Sequence, residues 1–179
     1  MTTGTLSKVF FAAVAAASLT GCLDTVSVLQ AVPQSQRQAL AFSGLEVAFD
    51  PALEEKPSLE RDALVEEMTR QFTEIADARE KVGVPVETRA QIEILGYKEA
   101  NAALSLLLAD SAEIMGYVRL RDVASDEQIG EYYIDVTYGE ADILGVATAA
   151  AGEKELSRAF LKEFFKTLDQ PGEEAGKAR

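Results

Sequence analysis

Apolar and polar side chains alternate with period two through the middle of this chain. From Val86 to Tyr97, Val86, Thr88, Ala90, Ile92 and Ile94 fall on one side, while Glu87, Arg89, Gln91 and Glu93 fall on the other. This is the signature of a half-buried strand. The pattern returns from Glu113 to Arg121, where Ile114, Val118 and Leu120 stand opposite Tyr117, Arg119 and Arg121. It returns again from Ile129 to Tyr138, where Tyr132, Ile134, Val136 and Tyr138 stand opposite Tyr133, Asp135 and Thr137. The stretch Asp122-Val-Ala-Ser-Asp-Glu-Gln128 predicts a hairpin turn between these two runs. An earlier run, Leu40 to Phe49, alternates in part and stops at Asp50-Pro51, which predicts a first strand with Leu45, Val47 and Phe49 on one side.

Two other stretches follow the helical period. Beyond Pro51 and Pro57, Ser58 is placed to cap a helix whose first turn holds Glu60 and Asp62, favourable at the positive end of the helix dipole. Leu64, Met68, Phe72, Ile75 and Arg79 then form one stripe, which Gly83 and Pro85 close. Near the C-terminus Leu156, Phe160, Phe164 and Leu168 share a face, flanked by Leu161 and Phe165 and preceded by Glu153 and Glu155. Gln170-Pro171-Gly172 stops this last helix. Three stretches carry no decisive period: Leu23 to Gln38, which reads as a tether; Lys98 to Asp110, whose run Ala102 to Ala109 can form a short helix or a buried strap; and the Gly- and Ala-rich stretch Gly139 to Gly152. The expected architecture is α+β, a small, mainly antiparallel sheet with two amphipathic helices in the order β-α-β-β-β-α. It forms one domain over residues 40–169, with a disordered tail at 170–179.

The N-terminus reads differently. Lys8 precedes the apolar run Val9-Phe10-Phe11-Ala12-Ala13-Val14-Ala15-Ala16-Ala17, which is too short to cross a bilayer as a helix and has the layout of a signal peptide over residues 1–21. Leu19-Thr20-Gly21-Cys22 resembles the lipobox of bacterial lipoproteins. That resemblance implies cleavage before Cys22, a diacylglyceryl group on its sulfur and a third acyl chain on the freed amine. Two acyl chains joined by a third exceed the two signals that stable anchoring needs. Cys22 is the one cysteine of the chain, so no internal disulfide is possible and lipidation accounts for an otherwise unexplained thiol. In Gram-negative lipoproteins an Asp directly after the cysteine marks retention in the inner membrane. Leu23 stands there instead, which implies the outer membrane, facing the periplasm, with residues 22–39 as lipidated N-terminus and tether.

The formal net charge is −13, and the segment 1–21 contributes only Lys8, so the processed chain is more acidic still. Nucleic acid and anionic lipid are disfavoured as partners, and membrane contact is expected to come from the lipid on Cys22. The chain contains no histidine, which removes the commonest general base and zinc ligand; no catalytic residue, cofactor site or metal site is expected. Neither G-x-S-x-G nor S-x-x-K occurs, and Gly176-Lys177 lacks the spacing of a phosphate loop. Asp122, Asp126, Glu127, Glu131 and Asp135 crowd one hairpin as a solvated acidic face without the order of a calcium loop. Arg119 and Arg121 are expected to pair across strands with Asp135. Tyr97, Tyr117, Tyr132, Tyr133 and Tyr138 all lie in the expected sheet, either as cross-strand packing or as an interface.

The order of elements, the stretch Gly116-Tyr-Val-Arg-Leu-Arg-Asp122 and the Gly-rich approach to the last helix resemble a group of small periplasmic lipoproteins. That group includes the curli-secretion lipoproteins and the activators of penicillin-binding proteins. Leu120-Arg121-Asp122 and Gln128-Ile129-Gly130 match its strand-turn-strand pattern, although Val-Ala-Ser-Asp follows Asp122 where the group has a tight Gly turn. No functional residue carries over from this match. The function expected is that of a non-enzymatic, membrane-anchored envelope protein that binds another periplasmic or outer-membrane protein through a sheet edge or an exposed sheet face. Two alternatives stand beside it. A carboxylate-based hydrolase of cell-wall glycans needs two carboxyl groups about 5 to 10 Å apart, and a carrier of an apolar ligand needs a cavity lined by apolar side chains.

Overall fold

In the computed structural model, which describes residues 25–53, 58–98, 112–138 and 153–170, the alternating runs become strands of one sheet. The elements in chain order are β1 (Thr25–Gln30), α1 (Gln34–Arg37), β2 (Leu40–Phe49), a 3-10 turn (Pro51–Leu53), α2 (Ser58–Ala78), β3 (Val86–Lys98), β4 (Ala112–Asp122), β5 (Gln128–Tyr138) and α3 (Glu153–Asp169). The five strands lie in the order β1-β5-β4-β3-β2. The α+β class is as expected, with three helices among the described residues.

Two expectations are corrected. The sheet is mixed rather than mainly antiparallel, because β2 and β3 run parallel. The 21-residue helix α2 between them carries the chain back along the sheet, so β3 starts at the same end as β2; a parallel pair needs such a crossover. The tether expected over residues 22–39 is also largely built into the domain. Thr25–Gln30 forms an edge strand antiparallel to β5, and Val32 is fully buried. Residues 1–24, including Cys22, fall outside the described residues, as do the runs 99–111 and 139–152 and most of the expected tail, 171–179.

Both long helices lie on one face of the sheet. Leu64, Met68, Phe72 and Ala76 of α2, together with Leu156, Phe160, Leu161, Phe164 and Leu168 of α3, are buried against Ala90, Ile92 and Ile94 of β3, Ile114, Val118 and Leu120 of β4, and Tyr132, Ile134 and Val136 of β5. The aromatic rings interlock at the seam. Phe42 meets Phe72 edge-on at 5.2 Å, Phe72 meets Phe165 at 5.3 Å, and Tyr132 meets Phe164 edge-on at 5.5 Å, an arrangement that ring quadrupoles favour. Arg79 closes the stripe of α2 by lying over the rings of Phe42 and Phe165 and pairing with Asp169 at the end of α3. Buried Gln71 ties the two helices further, donating to the Lys154 carbonyl at 2.9 Å.

Two local features set which residues face the core. The register of β3 slips between Ile94 and Gly96, which turns Tyr97 inward although alternation from Ile94 would turn it out. Across that slip lies Gly116, where an added Cβ would stand 2.5 Å from the backbone carbonyl oxygen of Glu93. That oxygen belongs to the sheet ladder and has nowhere to move, so only glycine fits. Phe164 is fully buried at the centre of the layer. Phe164→Ala should therefore cost about 3 to 5 kcal/mol of stability, read from denaturant melts of the soluble form, residues 23–179.

Candidate functional site

Among the described residues no helix covers the second face of the sheet, and the strand register arranges its side chains in rows. One row crosses all five strands: Glu46, Gln91, Arg119, Glu131 and Gln30 are successive neighbours from β2 to β1. The next runs through Ala48, Glu93, Tyr117, Tyr133 and Ser27. Alternation along each strand puts these residues outside because their neighbours, such as Ile92, Val118 and Tyr132, are in the core.

The first row is a belt of side-chain bonds. Arg119 sits at its centre, donating from Nη1 to Glu93 Oε2 at 2.7 Å and from Nε to Glu131 Oε1 at 2.8 Å. Gln91 donates to Glu46 at 2.9 Å, and Gln30 and Gln128 bond to each other through Gln128 Nε2 and Gln30 Oε1 at 3.0 Å. The two carboxylates hold the Arg119 guanidinium above its ordinary pKa, Glu131 contributing most. Its carbon also lies 5.1 Å from the centre of the Tyr117 ring, a cation–π contact. In the second row Tyr117 and Tyr133 are direct cross-strand neighbours with ring centres 5.5 Å apart, and the Tyr133 hydroxyl donates to the Met115 sulfur at 3.9 Å. Partial burial, then the nearby Asp135 charge, pushes the Tyr133 hydroxyl pKa up.

The five tyrosines therefore separate. Tyr97 and Tyr132 are core residues; Tyr132 accepts a long hydrogen bond from the Val32 N–H at 3.4 Å. Tyr117 and Tyr133 form the outer pair, and the side chain of Tyr138 lies outside the described residues.

The acidic hairpin separates too. Asp122 is a turn residue whose carboxylate accepts from the Ser125 N–H at 2.8 Å and the Ser125 hydroxyl at 3.1 Å, which holds its pKa below the usual carboxylate range. Asp126 takes the left-handed backbone conformation, φ 57°, that closes the turn, and it stands 3.6 Å from Arg121. Glu127 is exposed, and its carbonyl accepts from the Asp122 N–H. The expected pairing of Arg119 and Arg121 with Asp135 is corrected: Arg119 binds Glu93 and Glu131, Arg121 binds Asp126, and Asp135 stands across from Met115 and Thr25.

Glu93 and Met115 were not singled out from the sequence. Their signal is the register, since each belongs to the site only through the strand beside it.

A depression of about 600 Å³ lies away from this face and is lined by Gln34, Ser35, Arg37, Gln38 and Asp169, all polar. Among the described residues no group of acidic, cysteine or histidine side chains is placed to hold a metal ion, and no helix is long and apolar enough to cross a membrane.

No family model and no curated protein matches the chain. Solved structures with a similar outline include the PelC dodecamer from Paraburkholderia phytofirmans, at 10% identity and TM-score 0.43, covering 75% of this chain and 94% of that one. Protein XCC0632 from Xanthomonas campestris is 16% identical with TM-score 0.43, covering 79% of this chain and 92% of that one. A Caulobacter crescentus protein provisionally assigned as a lipoprotein is 15% identical with TM-score 0.39, covering 75% and 90%.

The belt generates an expectation that depends on ionic strength. Arg119→Gln removes the cation that Glu93 of β3 and Glu131 of β5 share across β4. The variant should lose about 1 kcal/mol at neutral pH, the upper range for part-exposed pairs. Both pairs are part-exposed, so the loss is largest at low ionic strength and fades as salt screens them. Melting temperatures of the variant and parent at pH 7 in low and in high salt check this.

Proposed function

We propose that this chain is an envelope lipoprotein, anchored on the periplasmic side of the outer membrane by acyl chains on Cys22. It works without catalysis by binding another envelope protein through the uncovered face of its sheet. The observation that carries the binding role is the outer pair Tyr117 and Tyr133, packed side by side on a half-buried surface beside Met115 and bordered by the Arg119 belt. Paired aromatic rings framed by polar groups have the make-up of an interface centre. The partner of this surface presents an apolar or aromatic side chain to the tyrosine row. Its rim is neutral or basic, since a net charge of −13 repels acidic surfaces.

Support for a non-catalytic role comes from what the carboxylates already hold. Glu93 and Glu131 bind Arg119, Asp122 caps its turn and Asp126 faces Arg121, while a general acid needs a carboxyl aimed at substrate. The alternative of an apolar carrier draws nothing from the depression at Gln34 and Asp169, whose lining is polar.

Two experiments test this reading. Cys22→Ser should abolish incorporation of a labelled fatty acid and release the chain from membranes; unchanged labelling would overturn the anchor. Tyr117→Ala combined with Tyr133→Ala should remove the partner that cross-links to the lipidated protein in native membranes, while leaving its fold intact by circular dichroism. A cross-link pattern that survives both substitutions would show that this face is not the binding surface.

A further inference from the structure

The strand register sets a third row on the uncovered face, next to the Arg119 belt: Gly44 of β2, Arg89 of β3, Arg121 of β4 and Gln128 of β5 are successive neighbours. Two arginines therefore stand directly opposite each other, in a chain with 30 acidic and 17 basic residues. Like charges at such positions destabilise a sheet where opposite charges would stabilise it. Neither arginine is held as Arg119 is by Glu93 and Glu131. Arg121 donates to the Asp126 carbonyl at 2.9 Å and stands 3.6 Å from its carboxylate, a side chain that is 81% exposed. Arg89 is exposed and makes no ion pair among the described residues, although Glu87 stands two positions back along its own strand. The β2 end of the row holds no side chain. An added Cβ at Gly44 would meet no atom of the described residues within 4 Å, so tight packing does not explain the glycine. The register slips between Phe42 and Gly44, yet Gly44 does not take the positive φ for which a bulge recruits glycine. Glycine inside a strand costs stability, and one use that offsets the cost is close approach by another molecule.

From this juxtaposition, and resting on the reading that the tyrosine face receives another protein, we infer that the row Gly44, Arg89 and Arg121 is the seat of a carboxylate side chain of that partner. A guanidinium gives a carboxylate two parallel N–H bonds, and a negative charge set between two arginines replaces their repulsion with attraction on both sides. The belt need not rearrange, because Glu46, Glu93 and Glu131 already accept from Gln91 and Arg119. β2 is an edge strand, so the notch at Gly44 opens at the margin of the sheet. Along β4, Arg121 lies four residues from Tyr117, about 14 Å. The partner therefore carries its acidic side chain about that far from the apolar or aromatic one that meets the tyrosines. The rest of its rim stays neutral or basic; this row is where an acidic group gains. A like-charge pair left uncompensated in the free domain is the kind of broken local rule that marks a functional surface.

Two measurements on the full lipidated protein test the seat. In neutral detergent at low ionic strength, Arg89→Gln should raise the melting temperature by about 1 to 3 °C, a gain that high salt removes. A fall in its place would give Arg89 a partner inside its own chain and overturn the seat. In native membranes, the Arg89→Lys protein is treated with a carbodiimide, which joins a carboxylate to a touching amine as an amide and takes up the water lost as its urea. Peptide mapping should find position 89 linked to an Asp or Glu of another protein. Gly44→Leu added to the same chain should fill the notch and cut that link several-fold, with the circular dichroism unchanged. Links from position 89 to Glu87, Asp126 or other carboxylates of this chain alone, links to another protein that Gly44→Leu leaves intact, or no link at all, as a phosphate ligand would give, each overturn the seat. The seat and the reading beneath it fail separately. No link at position 89 while the tyrosine-dependent cross-links persist sinks the seat alone, and cross-links that survive loss of both tyrosines sink the reading.

Discussion

A five-stranded sheet has two faces, and the two long helices among the described residues cover one of them. Everything else follows from that allocation. Phe72 on α2 and Phe160, Phe164 and Phe165 on α3 commit both long helices to the same side, where Arg79 and Asp169 fasten their ends together. Among the described residues, the other side satisfies its polar groups with strand side chains. The Arg119 belt does this across neighbouring strands, with each member bonded to a residue on the next. The same arrangement leaves Tyr117 and Tyr133 where a second protein can reach them.

Much of this layout was readable before any coordinates. Alternation in β3, β4 and β5 separated inner from outer side chains, because one helix-covered face imposes strict parity on those strands. The stripes of α2 and α3 were equally plain, since Leu64, Met68, Phe72, Leu156, Phe160, Phe164 and Leu168 are large and apolar, with Gln71, Ala76 and Ser157 buried among them. Strand direction was not readable. Parity says which face a residue takes but not which way its strand runs, so the parallel pairing of β2 with β3 awaited the crossover of α2. β1 escaped because its alternation, Val26 and Val28 against Ser27 and Leu29, is too brief to stand out beside a lipobox-like segment.

The candidate site was readable in composition but not in assembly. Five tyrosines and a crowd of carboxylates marked the region, and the pattern assigned Tyr117 and Tyr133 to one class of face and Tyr132 to another. It could not foresee Tyr97 turning inward, which depends on the slip between Ile94 and Gly96. Nor could it name the partners of Arg119. A guanidinium reaches whatever the adjacent strands set beside it, and a shift of register exchanges every such neighbour. Asp135, the partner that sequence suggested, stands on the same face but in a different row.

The pairing of β1 with β5 bears on how the molecule is assembled. Val32 and Tyr132, which hydrogen-bond at the end of that pairing, are 100 residues apart. β1 has no other strand neighbour among the described residues, so it cannot dock until β5 exists and has found β4. Closing so long a loop is slow compared with forming the local β4–β5 hairpin. β1 is thus made about 100 residues before the strand it needs. Until that ladder closes, β5 presents an open edge on the side away from β4, with its backbone groups on that side unpaired.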